Sequence, residues 1–300
     1  MPATPKTFPE WIRRPWPSGH AFAEVKGLLG DLRLNTVCQS AHCPNQAECW
    51  SERTATFMVL GNVCTRHCTY CAVNSGRPDA ADNDEPAQVA EAVRRLGLRH
   101  AVLTSVTRDD LPDGGAGHIA ETIKAIRKAS PGTTIEVLVQ DFDGVESSLD
   151  QVIDARPEIF SHNIETVRRL HSKFRDRRFS YEGALAVLRY AEERRGGYGF
   201  VKTGFMLGCS ETPEEVRETL RDLRAAGCHA VSIGQYLQPT PKHAEVRRFI
   251  PPEEFKEHEA AAREMGFLFA VAGPFVRSSY KSESLLQSPA AAGRLGGEVG

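Results

Sequence analysis

The chain is predicted to be an α/β protein with parallel strands, in a sheet that is open or curled into a partial barrel. Three observations predict this. Short apolar runs recur along the chain, helical patterns lie between them, and unusual polar clusters follow the runs. The runs span residues 56–61, 101–106, 134–139, 159–163, 201–207 and 230–237. Continuous apolar stretches of this length suit strands covered on both faces.

Residues 1–50 show little periodicity and are expected to form an irregular segment on the main body. The alternation begins at Thr56. Val89, Val93 and Leu96 repeat at i, i+4, i+7, as do Val216, Leu220 and Leu223, which marks one apolar helix face each. Thr212-Pro213-Glu214-Glu215 is a capping box with proline at the first helical position. A helix over 181–193 is stopped by Gly196-Gly197. One from 252 to 265 leads into an apolar run, 267–276, expected to continue extended to Tyr280. The Ala- and Gly-rich tail, 288–300, is expected to be disordered.

Functional groups of parallel α/β folds gather at the carboxyl ends of the strands. Here those ends carry a cysteine triplet, the stretch Arg108-Asp109-Asp110-Leu111-Pro112-Asp113-Gly114-Gly115, then Gln140-Asp141, His162-Asn163-Ile164-Glu165, and Gln235 with Gln238. Any one polar loop is ordinary; five at one edge suggest a site.

Three hundred residues fit two small domains or one large α/β unit. The apolar fraction of 41% and charged fraction of 25% are those of a globular protein, and a net charge of -2 argues against nucleic-acid binding. No run of about 18 apolar residues predicts a membrane span. The Pro-rich start lacks an apolar signal core, so a cytoplasmic location is expected.

Six of the eight cysteines fall between positions 38 and 71. In a reducing compartment such crowding reads as metal binding or catalysis. Cys64, Cys68 and Cys71 have C-x₃-C-x₂-C spacing in a loop after a strand. Three thiolates can hold three irons of a 4Fe–4S cube and leave the fourth open. An open iron could chelate S-adenosylmethionine and pass an electron to its sulfonium, yielding a carbon radical able to attack an inert C–H bond. The alternative is a zinc site completed by His67 or a distant residue. Cys38, Cys43 and Cys49 form a second triplet, read as a second iron–sulfur site, with a zinc knuckle using His42 as the alternative.

With Tyr70 just before the third cysteine, the spacing resembles that of the radical S-adenosylmethionine superfamily, and further motifs join it. Cys43-Pro44-Asn45, Arg108-Asp109-Asp110-Leu111, Asp113-Gly114-Gly115-Ala116, His162-Asn163-Ile164-Glu165-Thr166-Val167, Gly234-Gln235-Tyr236-Leu237-Gln238-Pro239-Thr240 and Arg277-Ser278-Ser279-Tyr280 are among them. Over residues 8–281 the sequence resembles the lipoyl synthase family. The resemblance implies a partial (β/α)6 TIM-type barrel with an irregular N-terminal segment and a C-terminal extension. Its parts would be 1–52 with the auxiliary-cluster cysteines, 53–250 the barrel, 251–287 the extension with the Arg-Ser-Ser-Tyr motif, and 288–300 the tail. It implies two 4Fe–4S clusters and S-adenosylmethionine. Cys64, Cys68 and Cys71 would hold the catalytic cluster. Cys38, Cys43, Cys49 and Ser279, with Ser278 as the alternative, would hold the auxiliary cluster whose sulfides are inserted into an octanoyl-lysyl chain. It gives Asn163 and Glu165 a cofactor-site role. Implied partners are octanoylated lipoyl domains of 2-oxoacid dehydrogenases or the glycine-cleavage H protein, an electron donor and a cluster-repair protein. Rival readings are another sulfur-inserting or rearranging radical enzyme, and a metal-binding scaffold without turnover.

The chain departs from the family at Gly208-Cys209-Ser210-Glu211, where Gly-Leu-Gly-Glu is usual, at Lys281-Ser282, and at Gln140, where proline is common. Cys209 and Cys228 are expected in the core, and His42 and His67 on surface loops. Helix capping competes with a cofactor role for Asn163 and Glu165. Asp109, Asp110 and Asp113 read as a tight loop, with an acid–base pair as the sharper alternative. Arg177-Arg178 and Arg247-Arg248 are expected on the surface, where an acidic carrier could dock.

Overall fold

The computed structural model describes residues 8–13, 20–52 and 55–295. The chain divides into two compact units, one of residues 14–67 and 71–157, the other of residues 1–13, 68–70 and 158–300.

The first unit contains α1 (His20–Asp31), α2 (Val37–Ser40), α3 (Gln46–Ser51), β1 (Thr56–Val59), β2 (Val63–Cys64), β3 (Asn74–Ser75), α4 (Glu85–Leu96), β4 (His100–Ser105), α5 (Ala116–Ala129), β5 (Thr134–Leu138) and α6 (Glu146–Asp154). Strands β1, β4 and β5 lie side by side and parallel, with Phe57 opposite Leu103 and Leu103 opposite Val137. All three are buried, as the unbroken apolar runs require. Val89, Val93 and Leu96 form the buried face of α4, which Gly97 ends in the left-handed conformation at φ 62°.

Residues 20–51 are more regular than expected. Val25 and Leu29, four apart on α1, are buried, and the Phe22 and Trp50 rings lie 5.1 Å apart. Gly27 and Gly30 thin the apolar stripe of α1, and α2 and α3 are too short to show a period.

The second unit contains β6 (Ile159–Ser161), α7 (Arg168–Phe174), α8 (Tyr181–Arg194), β7 (Phe200–Leu207), α9 (Pro213–Ala225), β8 (Ala230–Gln235), α10 (Pro252–Glu264), β9 (Phe269–Gly273), α11 (Glu283–Leu286) and α12 (Ala291–Leu295). Here β6, β7, β8 and β9 are parallel neighbours in that order. The Thr212 capping box of α9 forms as read, with both reciprocal bonds present.

Two expectations for the C-terminal region change. The run from 267 extends only to Gly273, after which the chain turns. Val276 N–H donates to the Gly273 carbonyl at 3.1 Å and Tyr280 N–H to that of Arg277 at 2.9 Å. Ser278 and Ser279 therefore sit in a turn, where strand alternation does not govern their directions. The composition of 288–300 suggests disorder, but residues 291–295 form α12. Ala291 packs with Ile159, Phe200, Ala230 and Leu285, and Arg294 Nε donates to the Gly199 carbonyl at 2.6 Å. One arginine with a small apolar face offsets the ordering cost that composition alone predicts to win. Residues 296–300 of that tail lie outside the described residues, as do 1–7 and 14–19 of the N-terminal stretch.

Candidate functional site

Cys38 lies in α2, Cys49 in α3 and Cys43 between them. Thr36 caps α2, its Oγ1 accepting from Gln39 N–H at 3.3 Å. Cys43 N–H then reaches the Cys38 carbonyl at 3.0 Å, and Cys49 N–H the Asn45 carbonyl at 2.9 Å. Two short helices thus fold the three thiols into one nest, beside the buried Trp50. Burial first, then the Cys43 sulfur, pushes the Cys38 thiol up to about 11. Burial, then Cys38, Cys43 and the carboxylates of Glu48 and Glu52, push Cys49 up to about 12. Converging sulfurs in a negative surround suit a group that brings positive charge, as iron does. The donor set fits an iron cluster.

Cys64 ends β2, which pairs with β3 through Val63 and Asn74 and through Cys64 and Ser75. Arg66 N–H points at the Cys64 sulfur at 3.4 Å. The Arg66 side chain is buried and forks onto two carboxylates, Asp109 at 2.7 Å and Asp141 at 2.8 Å. Thr65 Oγ1 donates to Asp109 at 2.7 Å. The loop is thereby tied to the segments that follow β4 and β5. In the second unit Cys68 accepts the Asp176 N–H at its sulfur, 3.3 Å away. Neighbouring Thr69 donates its N–H to the Phe174 carbonyl at 2.8 Å and accepts that of Ala244 at 2.9 Å. Cys64, Cys68 and Cys71 are half-buried free thiols. Amide donors on sulfur and partial exposure are among the features that tune cluster iron. Among the described residues no three Cys, His, Asp or Glu side chains close on a single ion.

Asn163 and Glu165 follow β6 in the second unit. Glu165 has φ 69°, a left-handed conformation a glutamate adopts only where its surroundings impose it. Its N–H bonds the Gly204 carbonyl at 3.1 Å and its carbonyl accepts Met206 N–H at 2.9 Å. Burial raises its carboxyl, opposed by the Arg175 charge and by hydrogen bonds from Asn163 and Tyr70. Asn163 Nδ2 donates to Glu165 Oε1 at 3.2 Å and to Ser278 Oγ at 2.6 Å. The two residues bond each other, and α7 is capped by Val167 without a side-chain bond, so the helix-capping alternative does not hold. Ser278 is thus engaged, while Ser279, half-buried beside it, accepts Ser282 N–H at its carbonyl at 3.4 Å.

The acidic loop is structural. Asp109 pairs with Arg66, Asp110 with Arg108 at 2.9 Å, and Asp113 accepts the N–H groups of Gly115 and Gly117 at 2.8 Å each. No two of them form an acid–base pair. Cys209 and Cys228 are buried, their thiols raised by burial, and His42 and His67 are exposed, all as expected. Arg178 pairs with Asp176, Arg247 with Glu245 and Arg248 with Glu254. Arg66 and Lys202 were not singled out from the sequence. An arginine between two cysteines and a lysine inside an apolar strand run were the available signals.

Residues 58–223 match the Radical SAM superfamily. The chain is 50% identical to the lipoyl synthase of Flavobacterium johnsoniae, over 93% of this chain and 96% of that protein. It is 50% identical to the lipoyl synthase of Thermus thermophilus, over 92% and 85%. It is 48% identical to the mitochondrial lipoyl synthase of Nematostella vectensis, over 94% and 95%. Among solved structures it is similar to the FeFe-hydrogenase maturase HydG of Carboxydothermus hydrogenoformans, with TM-score 0.54 and 14% identity over 88% of this chain and 78% of that one. SuiB of Streptococcus suis bound to S-adenosylmethionine gives TM-score 0.56 and 10% identity over 72% and 49%. At such identities the likeness concerns the fold alone, an α/β partial TIM-type barrel with parallel strands.

Proposed function

The chain belongs to the lipoyl synthase family of the Radical SAM superfamily, and from that premise we propose which of its residues carry the sulfur-inserting reaction. Family membership makes it a radical enzyme with a 4Fe–4S cluster and S-adenosylmethionine, acting on a lipoyl domain. In our reading Cys64, Cys68 and Cys71 hold that cluster and leave one iron for S-adenosylmethionine. The observation carrying this assignment is that the Arg66 N–H is aimed at the Cys64 sulfur and the Asp176 N–H at the Cys68 sulfur. When bound, the pair supplies an electron and a carbon radical for abstraction of hydrogen from octanoyl carbons.

The nest of Cys38, Cys43 and Cys49 is assigned a second 4Fe–4S cluster as sulfur donor, with Ser279 as fourth ligand. Ser278 is occupied by Asn163, which favours Ser279. A serine oxygen is a harder donor than thiolate and releases its iron more readily when the cluster gives up sulfide. Asn163 and Glu165, bonded to each other, are assigned the contacts to S-adenosylmethionine, through an amide and a carboxylate able to accept from ribose hydroxyls or the amino group. The layout proposed is 1–52 for the auxiliary cysteines, 53–250 for the barrel and 251–287 for the serine motif.

No helix among the described residues is long and apolar enough to cross a membrane. A cytoplasmic site of action follows from our reading. So do carriers among the lipoyl domains of 2-oxoacid dehydrogenases or the glycine-cleavage H protein, an electron donor and a cluster-repair protein. The test is anaerobic turnover on an octanoylated lipoyl domain, read by mass, beside iron and acid-labile sulfide analysis. Two clusters per chain and a two-sulfur product support the reading. A single cluster with full product formation refutes the donor assignment.

A further inference from the structure

Lys202 is a lysine with no exposure, set in β7 among apolar neighbours. Its ammonium donates to the backbone carbonyl of Ser278, and Ser232 Oγ on the adjacent strand donates to the same oxygen at 3.1 Å. Asn163 holds the hydroxyl of that same serine. Ser278 is therefore gripped at both its polar ends by three side chains from three segments.

The strands are cut to receive it. Lys202 and Gly204 share one face of β7, two residues apart, and Ser232 and Gly234 do so on β8, where Gly204 stands opposite Ser232. A Cβ at Gly234 would lie 2.2 Å from the Val276 carbonyl oxygen, which only glycine permits. A Cβ at Gly204 would come within 3.1 Å of Asn163 Oδ1 and 3.5 Å of Ser278 Oγ, crowding the bond between them. Two glycines clear a seat for residues 276–278, and a lysine and a serine on the same faces pin the chain in it. A buried ammonium is costly unless it is hydrogen-bonded, and the carbonyl contact contributes to offsetting that cost.

The geometry points to Lys202 as a positioning residue that, with Ser232, fixes the Ser278 carbonyl and so presents Ser279 to the auxiliary cluster. This rests on the reading of Ser279 as a ligand. The seat also continues through Asn163 and Glu165 to Tyr70, in the loop of Cys68. One line of hydrogen bonds thus runs from a residue beside a catalytic cysteine to the residue beside Ser279.

The test uses the full chain reconstituted with iron and sulfide, in Lys202→Met and Ser232→Ala. The first readout is amide exchange over residues 274–282, expected to quicken roughly tenfold in Lys202→Met and less in Ser232→Ala, as befits loss of a charged and a neutral donor. The second is iron loss to a chelator in a Cys64→Ala, Cys68→Ala, Cys71→Ala background that keeps only the auxiliary set. Iron loss should quicken roughly tenfold in the same order. Unchanged exchange and iron loss in both variants overturn the inference. Exchange that rises evenly across residues 158–295 also overturns it, because the lysine would then serve stability alone. If Lys202→Met shows no cooperative melt, Ser232→Ala decides. Ser279→Ala separates the two readings: if it leaves iron loss unchanged, the ligand assignment fails, while exchange at 274–282 still judges the anchor.

Discussion

Arg66 and Asp109 meet side-on, with Nη2 2.7 Å from Oδ1 and Nε 3.1 Å from each carboxylate oxygen. The arginine is buried and a second carboxylate, Asp141, takes Nη1 at 2.8 Å. Planar guanidinium serves both partners at once, which a lysine cannot do. Asp109→Ala leaves the buried cation with Asp141 and only the distant, exposed Asp143 at 3.8 Å, and is expected to cost about 3 kcal/mol in denaturant unfolding. A loss below about 1 kcal/mol would show that water substitutes for the carboxylate.

The two cysteine sets should separate in their chemistry. Alanine at Cys64, Cys68 or Cys71 is expected to abolish reductive cleavage of S-adenosylmethionine, because the cluster presenting an open iron is lost. Alanine at Cys38, Cys43 or Cys49 is expected to leave cleavage and to stop sulfur insertion. Lipoyl product from any of the latter three, measured by mass, rules out their role as donor.

Ser210 is held at φ 84°. A side chain in that region carries about 1 kcal/mol of strain, and an unfolded glycine regains about half of it as freedom. Ser210→Gly, which restores the residue usual in the family, should therefore stabilise the chain by about 0.5 kcal/mol. A lowered thermal midpoint would mean that the Ser210 side chain makes a contact worth more than the strain. The Ser210 carbonyl keeps its bond from Arg169 at 2.8 Å in either case.

His229 should contribute to acid sensitivity. Burial first, then Arg294, Arg224 and Arg195, hold its imidazole down to about 4, against 6.5 for a free histidine. The ring accepts Val201 N–H at Nδ1, 3.1 Å away, as a neutral imidazole can. Between those two values the unfolded chain binds the proton that the folded chain refuses. Stability is therefore full above about 6.5 and falls as pH drops toward 4, by up to about 1.4 kcal/mol per pH unit. His229→Gln should flatten that slope in urea titrations between about pH 7 and pH 5. An unchanged slope assigns the acid loss elsewhere, with His171, also held down to about 4 by burial, as the next candidate.

What the sequence discloses divides by the range of the interaction. Strand runs such as 201–207 and the Thr212 capping box are local patterns, so β7 and α9 appear where they were read. Cysteine spacing is local too, which is why both triplets stood out. The Ser278 seat is not local. It is assembled from Asn163, Lys202, Gly204, Ser232 and Gly234, each ordinary in its own segment. Nothing at position 202 but a charge within an apolar run hinted at it. The acidic loop was read as a tight loop and is one. The partner of Asp109 was hidden for the same reason, since Arg66 lies 43 residues away while Arg108, the partner of Asp110, is close in sequence.

Helix α12 bears on how the protein can be handled. Ala291 covers Ile159, Phe200 and Ala230, and Arg294 ties the helix to Gly199 and to Glu192 at 3.0 Å. Ending an expression clone at residue 287, the proposed end of the C-terminal extension, would uncover those apolar side chains and leave Glu192 without its arginine. Such a shortened protein would be prone to self-association in preparation. An affinity tag appended beyond residue 295 spares every one of these contacts.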